Sequence, residues 1–339
     1  MLLVARAFDE GDPAAARRLL ACRWRGEGAL ARVDALALEA LVARGDVIVD
    51  GPVHAANAAP PSLRWAALEV LDARTPLLRF GRVAASRAIV GACADAATIH
   101  AIEVGGGEAA PWTELVDQLA LQRRPPLLRV AALNRGSERS AEVELRRARL
   151  AAFARRRGVV FEWAEIEARG GALAAFAEDV GAGGALAVHV DEVFERGGAA
   201  PSEVEIGSLR PRVVTSVEAS IDGGERSLVG RVAGLRDHYR RVFEVLEGRV
   251  DGRTRSILER ECYGRALLDR LVEEGPPTGP AGGAARGLGP FGIDGARVAS
   301  ELGGYPGFST RAIGPAVALC WRGEPLLRAS AWVDRRARR

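Results

Sequence analysis

Ile99-His100-Ala101-Ile102-Glu103-Val104-Gly105-Gly106-Gly107, followed by Pro111-Trp112-Thr113-Glu114-Leu115, is the stretch that decides the fold. An apolar run of strand length ends in an acid and a glycine turn, and an amphipathic segment with proline near its start follows. A buried parallel strand leading through a turn into a crossover helix is written this way. The pattern repeats downstream: nearly continuous apolar runs at 127–133, 159–164, 185–190 and 212–217 alternate with longer helical stretches. Three later runs, 308–313, 316–322 and 326–333, have no helices between them, and Arg322-Gly323-Glu324 suits a hairpin turn. The predicted class is α/β, with a Rossmann-like, mostly parallel sheet closed by an antiparallel hairpin.

Outward from the sheet, residues 1 to 75 read as helices. Asp12 followed by Pro13 is a helix start for 13–20, and Leu30, Val33, Leu36, Leu38, Leu41 and Val42 recur at helical spacing. Two helices follow the fifth strand, one carrying Leu228, Val232, Leu235, Tyr239, Val242 and Leu246, the other running from Ile257 through Leu268 to Glu274. The Gly/Pro-rich stretch 275–292 holds too little apolar content to order itself and is predicted to be a mobile loop. The division expected is a helical cap over 1–75, a core over 76–334 containing that loop, and a basic tail over 335–339.

The chain has 339 residues, enough for a large core without disulfide or metal support. Its 47 basic residues, all arginine, nearly balance 44 acids, so net charge gives no strong nucleic-acid signal. Without lysine there is no Schiff-base or P-loop chemistry. Cys22, Cys93, Cys262 and Cys320 form no CxxC pair, no His/Cys cluster has metal spacing, and no GxSxG elbow occurs. No apolar run is long enough to span a membrane, and charges interrupt the N-terminus before a signal core could form. The expectation is a cytoplasmic protein.

Glycines at the carboxyl end of a first strand let a ligand approach the backbone where open α/β sheets bind cofactors. Glu103 beside Gly105, Gly106 and Gly107 suits a cationic ligand, which points to S-adenosylmethionine with its sulfonium and ammonium. The form Gly105-x-Gly107-x-x-Ala110 also admits a dinucleotide. Against that, Glu108 would repel a pyrophosphate, and the second strand ends in Asn134, where a ribose-gripping carboxylate is expected. A glycine turn that merely packs helix on strand is the third reading.

Several segments together resemble the GRAS family, known mainly as plant transcriptional regulators, with bacterial relatives proposed to be methyltransferases. Ile99-His100-Ala101-Ile102-Glu103 stands where that family has VHIID, and Trp112 falls at its tryptophan. Pro76-Leu77-Leu78-Arg79-Phe80, continuing to Ala88-Ile89, is similar to the segment before the first strand. Ser208-Leu209-Arg210-Pro211-Arg212-Val213-Val214-Thr215 with Val217-Glu218 resembles SLRPKVVTVVE, with His238-Tyr239 beyond it. Trp321-Arg322-Gly323 and Ser330-Ala331-Trp332 resemble the GWKGRPL and SAW endings. The resemblance implies a Rossmann-like methyltransferase core with a helical cap. It departs from plant members in the glycines at 105–107, where they often carry FDIMQG, and in Glu273-Glu274-Gly275 after Glu259-Arg260-Glu261.

These readings combine into a main expectation, an S-adenosylmethionine-dependent methyltransferase acting on a small molecule. Glu103, Gly105, Gly106, Gly107 and Asn134 would cradle the cofactor. His189, Asp191 or His238 would serve as base where the acceptor must lose a proton. Arg79, Phe80, Glu218, Tyr239 and Trp332 would line the substrate cleft. The alternative is a non-catalytic GRAS-type regulator or partner-binding module, with a protein partner or a second copy as occupant.

Overall fold

The computed structural model describes residues 2–10, 12, 14–16, 28–44, 60–104, 111–134, 141–167, 171–181, 183–191, 193, 203–221, 227–272 and 288–334. In chain order the elements are α1 (Leu2–Asp9), α2 (Gly28–Arg44), α3 (Pro61–Arg74), α4 (Leu77–Ala92), β1 (Thr98–Val104), α5 (Trp112–Ala120), β2 (Leu127–Asn134), α6 (Ala141–Arg157), β3 (Phe161–Glu167), α7 (Ala172–Glu178), β4 (Gly184–Asp191), α8 (Glu203–Ser208) and β5 (Val213–Ala219). There follow α9 (Leu228–Arg249), α10 (Gly252–Ile257), a π-helix (Leu258–Gly264), α11 (Arg265–Val272), β6 (Leu288–Pro290), α12 (Gly295–Leu302), β7 (Phe308–Ile313), β8 (Ala316–Trp321) and β9 (Glu324–Asp334).

One compact unit comprises Pro76–Glu218 and Gly279–Arg339. Its sheet has the order β3-β2-β1-β4-β5-β9-β8-β7, with β6 paired to β9. The first five strands are parallel, and β7, β8 and β9 form antiparallel pairs. This is an α/β fold with a mostly parallel sheet. The strands are apolar on both faces because helices cover both. Ile99, Ala101, Leu128, Val130, Ala185, Ala187 and Val213 pack on one face with Trp112, Leu115 and Leu150. Ile102, Val104, Ala131, Leu186, Val188, Val190 and Val214 pack on the other with Leu173, Phe176 and Ile206. Gly81 is needed where α4 meets β5, since a Cβ there would lie 2.9 Å from Val217 Cγ1. Arg322 and Gly323 turn β8 into β9 with φ of 51° and 87°, the mirror-image turn that matches strand twist.

The predicted loop over 275–292 needs correction at its end. Residues 273–287 lie outside the described residues, but Leu288–Pro290 is a strand with Gly289 opposite Val333. Pairing there draws on backbone N–H and C=O groups, which hydrophobic content does not report.

The other unit comprises Met1–Thr75 and Ala219–Thr278, whereas the sequence division placed 219–278 with the core. Its helix α9 starts at Ser227, whose Oγ accepts from the Gly230 N–H at 3.0 Å. The Asp9 carboxylate at the end of α1 accepts from the Leu228 and Val229 N–H groups, each at 3.0 Å, completing that cap across more than two hundred residues of sequence. Leu258 and Glu259 begin the π-helix, and both oxygens of the buried Glu259 carboxylate accept from Arg32 Nε of α2, at 3.1 and 2.9 Å. Of the predicted helix over 13–20, only 14–16 is described, and it is helical.

Candidate functional site

Strand order reverses between β1 and β4, because the chain leaves β1 toward β2 and β3 on one side and continues from β4 to β5 on the other. A crevice at the carboxyl ends of strands opens at such a switch point. Parallel register there aligns Ala132, Glu103, His189 and Thr215 as one row on one face of the sheet. Asp191 extends that face by one more pair, opposite Val217.

Helix α5 closes the row. Arg82 of α4 donates through Nε to Glu114 Oε1 at 3.0 Å, and Gln118 Nε2 donates to Ser86 Oγ at 2.8 Å, so α4 and α5 are tied together. Trp112, the first residue of α5, then sits over the strands and donates its indole N–H to Glu103 Oε2. Its ring meets His189 edge-on, with centroids 6.2 Å apart. Glu103 is 3% exposed and His189 fully buried.

His189 Nδ1 lies 3.0 Å from Thr215 Oγ1, and Nε2 has no hydrogen-bond partner among the described residues. Burial pushes the imidazole down to about 3, because the packed layer offers no water to solvate the cation. The imidazole is therefore neutral at neutral pH and enclosed in the packed layer. Asp191 is buried and accepts the Val193 N–H on Oδ1 at 3.0 Å.

The other predicted site residues do not join this row. Glu218 follows Val217 on β5 and so faces the opposite side of the sheet, where Arg328 of β9 grips its Oε1 through Nε at 2.8 Å and through Nη2. Trp332 packs on that same opposite face, with the cluster of Ile102 and Val188. Phe80 is fully buried, leaving no ring surface for a substrate, while Arg79 beside it is exposed. His238 and Tyr239 lie on α9 in the other unit, both buried, with ring centroids 5.0 Å apart. Burial, with Arg270 and Arg241 acting the same way, pushes His238 down to about 3. Gly105, Gly106 and Gly107 fall outside the described residues, and Asn134 ends β2 opposite Glu167 of β3.

Glu103 faces the helical layer and accepts the indole N–H. Sequence reading had missed two partners, Thr215 for His189 and Arg328 for Glu218. Neither was legible, because the observed register sets Ala187 opposite Val213, an offset that aligning the strand starts does not give. Among the described residues no helix is long and apolar enough to cross a membrane.

Comparison with known proteins places these features. The GRAS domain family matches residues 1–280. Protein NODULATION SIGNALING PATHWAY 2 of Lotus japonicus is 28% identical over 312 residues, covering 84% of this chain and 61% of that protein. Protein MONOCULM 1 of Oryza sativa subsp. japonica is 29% identical over 392 residues, covering 98% of this chain and 87% of its own length. DELLA protein RGL3 of Arabidopsis thaliana is 25% identical over 281 residues, covering 76% and 54%. The chain thus spans about three fifths of the Lotus protein. The crystal structure of SCL7 in Oryza sativa superposes with a TM-score of 0.70 at 22% identity, covering 98% of each chain, which is a likeness of fold.

Proposed function

This chain belongs to the GRAS domain family, and from that premise we propose that it acts as a non-catalytic regulator, a module that binds partner proteins in the control of transcription. The expected methyltransferase of a small molecule does not stand: the matching relatives are plant GRAS regulatory proteins, including a nodulation signalling protein and a DELLA protein. Those plant matches replace the bacterial comparison as well.

The observation that carries the reading is the state of the crevice. At the switch point, where an α/β sheet presents reactive groups, Glu103 is buried on Trp112 and His189 is enclosed beside Thr215. The parallel order of the first five strands supports a Rossmann-like ancestry for the sheet, and no reaction step is drawn from it.

The test joins two assays on the full chain. Fused to a heterologous DNA-binding domain, it is expected to raise or lower a reporter relative to that domain alone. A protein recovered with it is expected to bind the purified chain directly. An unchanged reporter together with no direct partner overturns the reading.

A further inference from the structure

We propose that the foot of strands β2 and β3, at the opposite end of the sheet from Glu103, is a docking surface for an acidic, leucine-bearing peptide segment of a partner protein. The proposal rests on the partner-binding reading and names the chemistry of one contact. Helix α5 runs into the turn at 121–126 before β2, and α6 runs into the turn at 158–160 before β3. Since β2 and β3 are paired neighbours, the two turns lie side by side. The Leu128 N–H donates to the Val160 carbonyl at 3.0 Å, and Arg157 pairs with Asp117 at 2.7 Å, joining the ends of the two helices.

Two kinds of group surface there. Leu121 is 86% exposed and Val160 65% exposed, the highest values among the large apolar residues described. Around them Arg123, Arg124, Arg155 and Arg156 are exposed, and none forms an ion pair among the described residues. Arg123 and Arg124 in the turn before β2 and Arg155 and Arg156 in the last turn of α6, with Arg156 over the Phe153 ring, gather like charge in a chain whose overall charge nearly cancels. Arginines in the last turn of α6 suit the helix dipole, which accounts for Arg155 and Arg156. The dipole accounts for neither Arg123 and Arg124, which follow α5 in an irregular turn, nor the two bare apolar side chains.

A partner matching the whole patch must supply carboxylates for the guanidinium forks and apolar groups for Leu121 and Val160. An acidic peptide with interspersed leucines supplies both. A phosphodiester backbone supplies charge alone.

Fluorescence anisotropy on the full chain tests this with a labelled peptide repeating Asp-Asp-Leu-Glu-Glu-Leu. The comparison ligands are a Glu/Gly peptide of equal charge, a short DNA duplex, and vesicles containing phosphatidylserine. Saturable binding of the leucine-bearing peptide is expected. It weakens about tenfold in Arg123→Ser/Arg124→Ser/Arg155→Ser and about threefold or more in Leu121→Ser/Val160→Thr, with a cooperative melting transition kept in both, because all five side chains are exposed and only Arg155 adds a helix-dipole contribution. Binding that either variant leaves intact overturns the proposal, as does equal binding of the Glu/Gly peptide or preference for DNA or vesicles. A partner recovered in the assays above that still binds the triple arginine variant overturns this surface and leaves the regulator reading standing.

Discussion

Trp112 and Glu103 form a buried hydrogen bond between the first residue of a helix and the end of a strand, and its loss leaves a carboxylate enclosed with one donor fewer. Removing one partner of a buried polar pair costs about 1–3 kcal/mol, more than the bond contributes net, because the remaining group stays desolvated. Trp112→Phe keeps most of the ring packing and deletes the donor, so urea unfolding should show a loss of about 1–3 kcal/mol, with Glu103→Gln in that background restoring part of it. His189 carries a second prediction. Its folded-state value near 3 lies below the ordinary imidazole value, so between roughly pH 6.5 and 3 the unfolded chain binds protons that the folded chain cannot. Stability from this site is complete above that window and lost as pH falls through it. His238 acts with the same sign. Denaturant titrations at successive pH values should show acid destabilisation over this range, shallower in His189→Gln; an identical slope in the variant would remove the assignment.

At the scale of elements, the closing hairpins depend on one backbone position. Gly307 has φ of 84°, and a Cβ there would sit 2.4 Å from Trp321 Cζ3, with the Phe308 ring already 4.8 Å from that indole. Gly307→Ala combines overpacking with a left-handed backbone and should lower stability by about 1–3 kcal/mol or more, seen as an earlier thermal transition. This element also shows what sequence could tell. Strands 308–313, 316–321 and the Arg322-Gly323 turn were legible because alternation and turn chemistry are local. The predicted strand over 159–164 is observed as Phe161–Glu167, since Val159 and Val160 look like strand but belong to the turn, and register with β2 decides the start. β6 was not legible at all, because Leu288-Gly289-Pro290 becomes a strand only through backbone pairing with β9. The same limit governed the site. Glu103 and His189 stood out as polar residues at strand ends, but whether such a residue faces a crevice or a helix is set by Trp112 and Thr215, which arrive from elsewhere in the chain.

At the scale of the whole molecule, the helical unit is assembled from two stretches far apart in sequence, and that makes the boundary at residue 75 a poor place to cut. Helix α9 buries Leu228, Val232, Leu235, Tyr239, Val242, Phe243 and Leu246. Within its unit, α9 packs against α1 and α2, and α11 also packs against α2. Deleting residues 1–75 therefore strips apolar faces from helices that remain in the chain, together with the Asp9 cap of α9 and the Arg32 partner of Glu259. Glu259 would lose Arg32 together with the helices α2 and α3 that cover it, and of its described ion-pair partners only Arg255, 3.9 Å away, would remain beside it. A fragment starting at Pro76 should accordingly bind a hydrophobic dye, scatter light, and lose the cooperative transition of α9 to α11. A second fragment that also omits 219–278, joining 218 to 279 through a flexible linker, removes both halves of the helical unit together. It keeps the parallel strands β1 to β5 except for Ala219, along with β6 to β9 and the helices that cover them. The second fragment should bind less dye per mole and unfold in one transition by circular dichroism, while the first should not. The reverse ranking would mean that 219–278 belongs with the sheet.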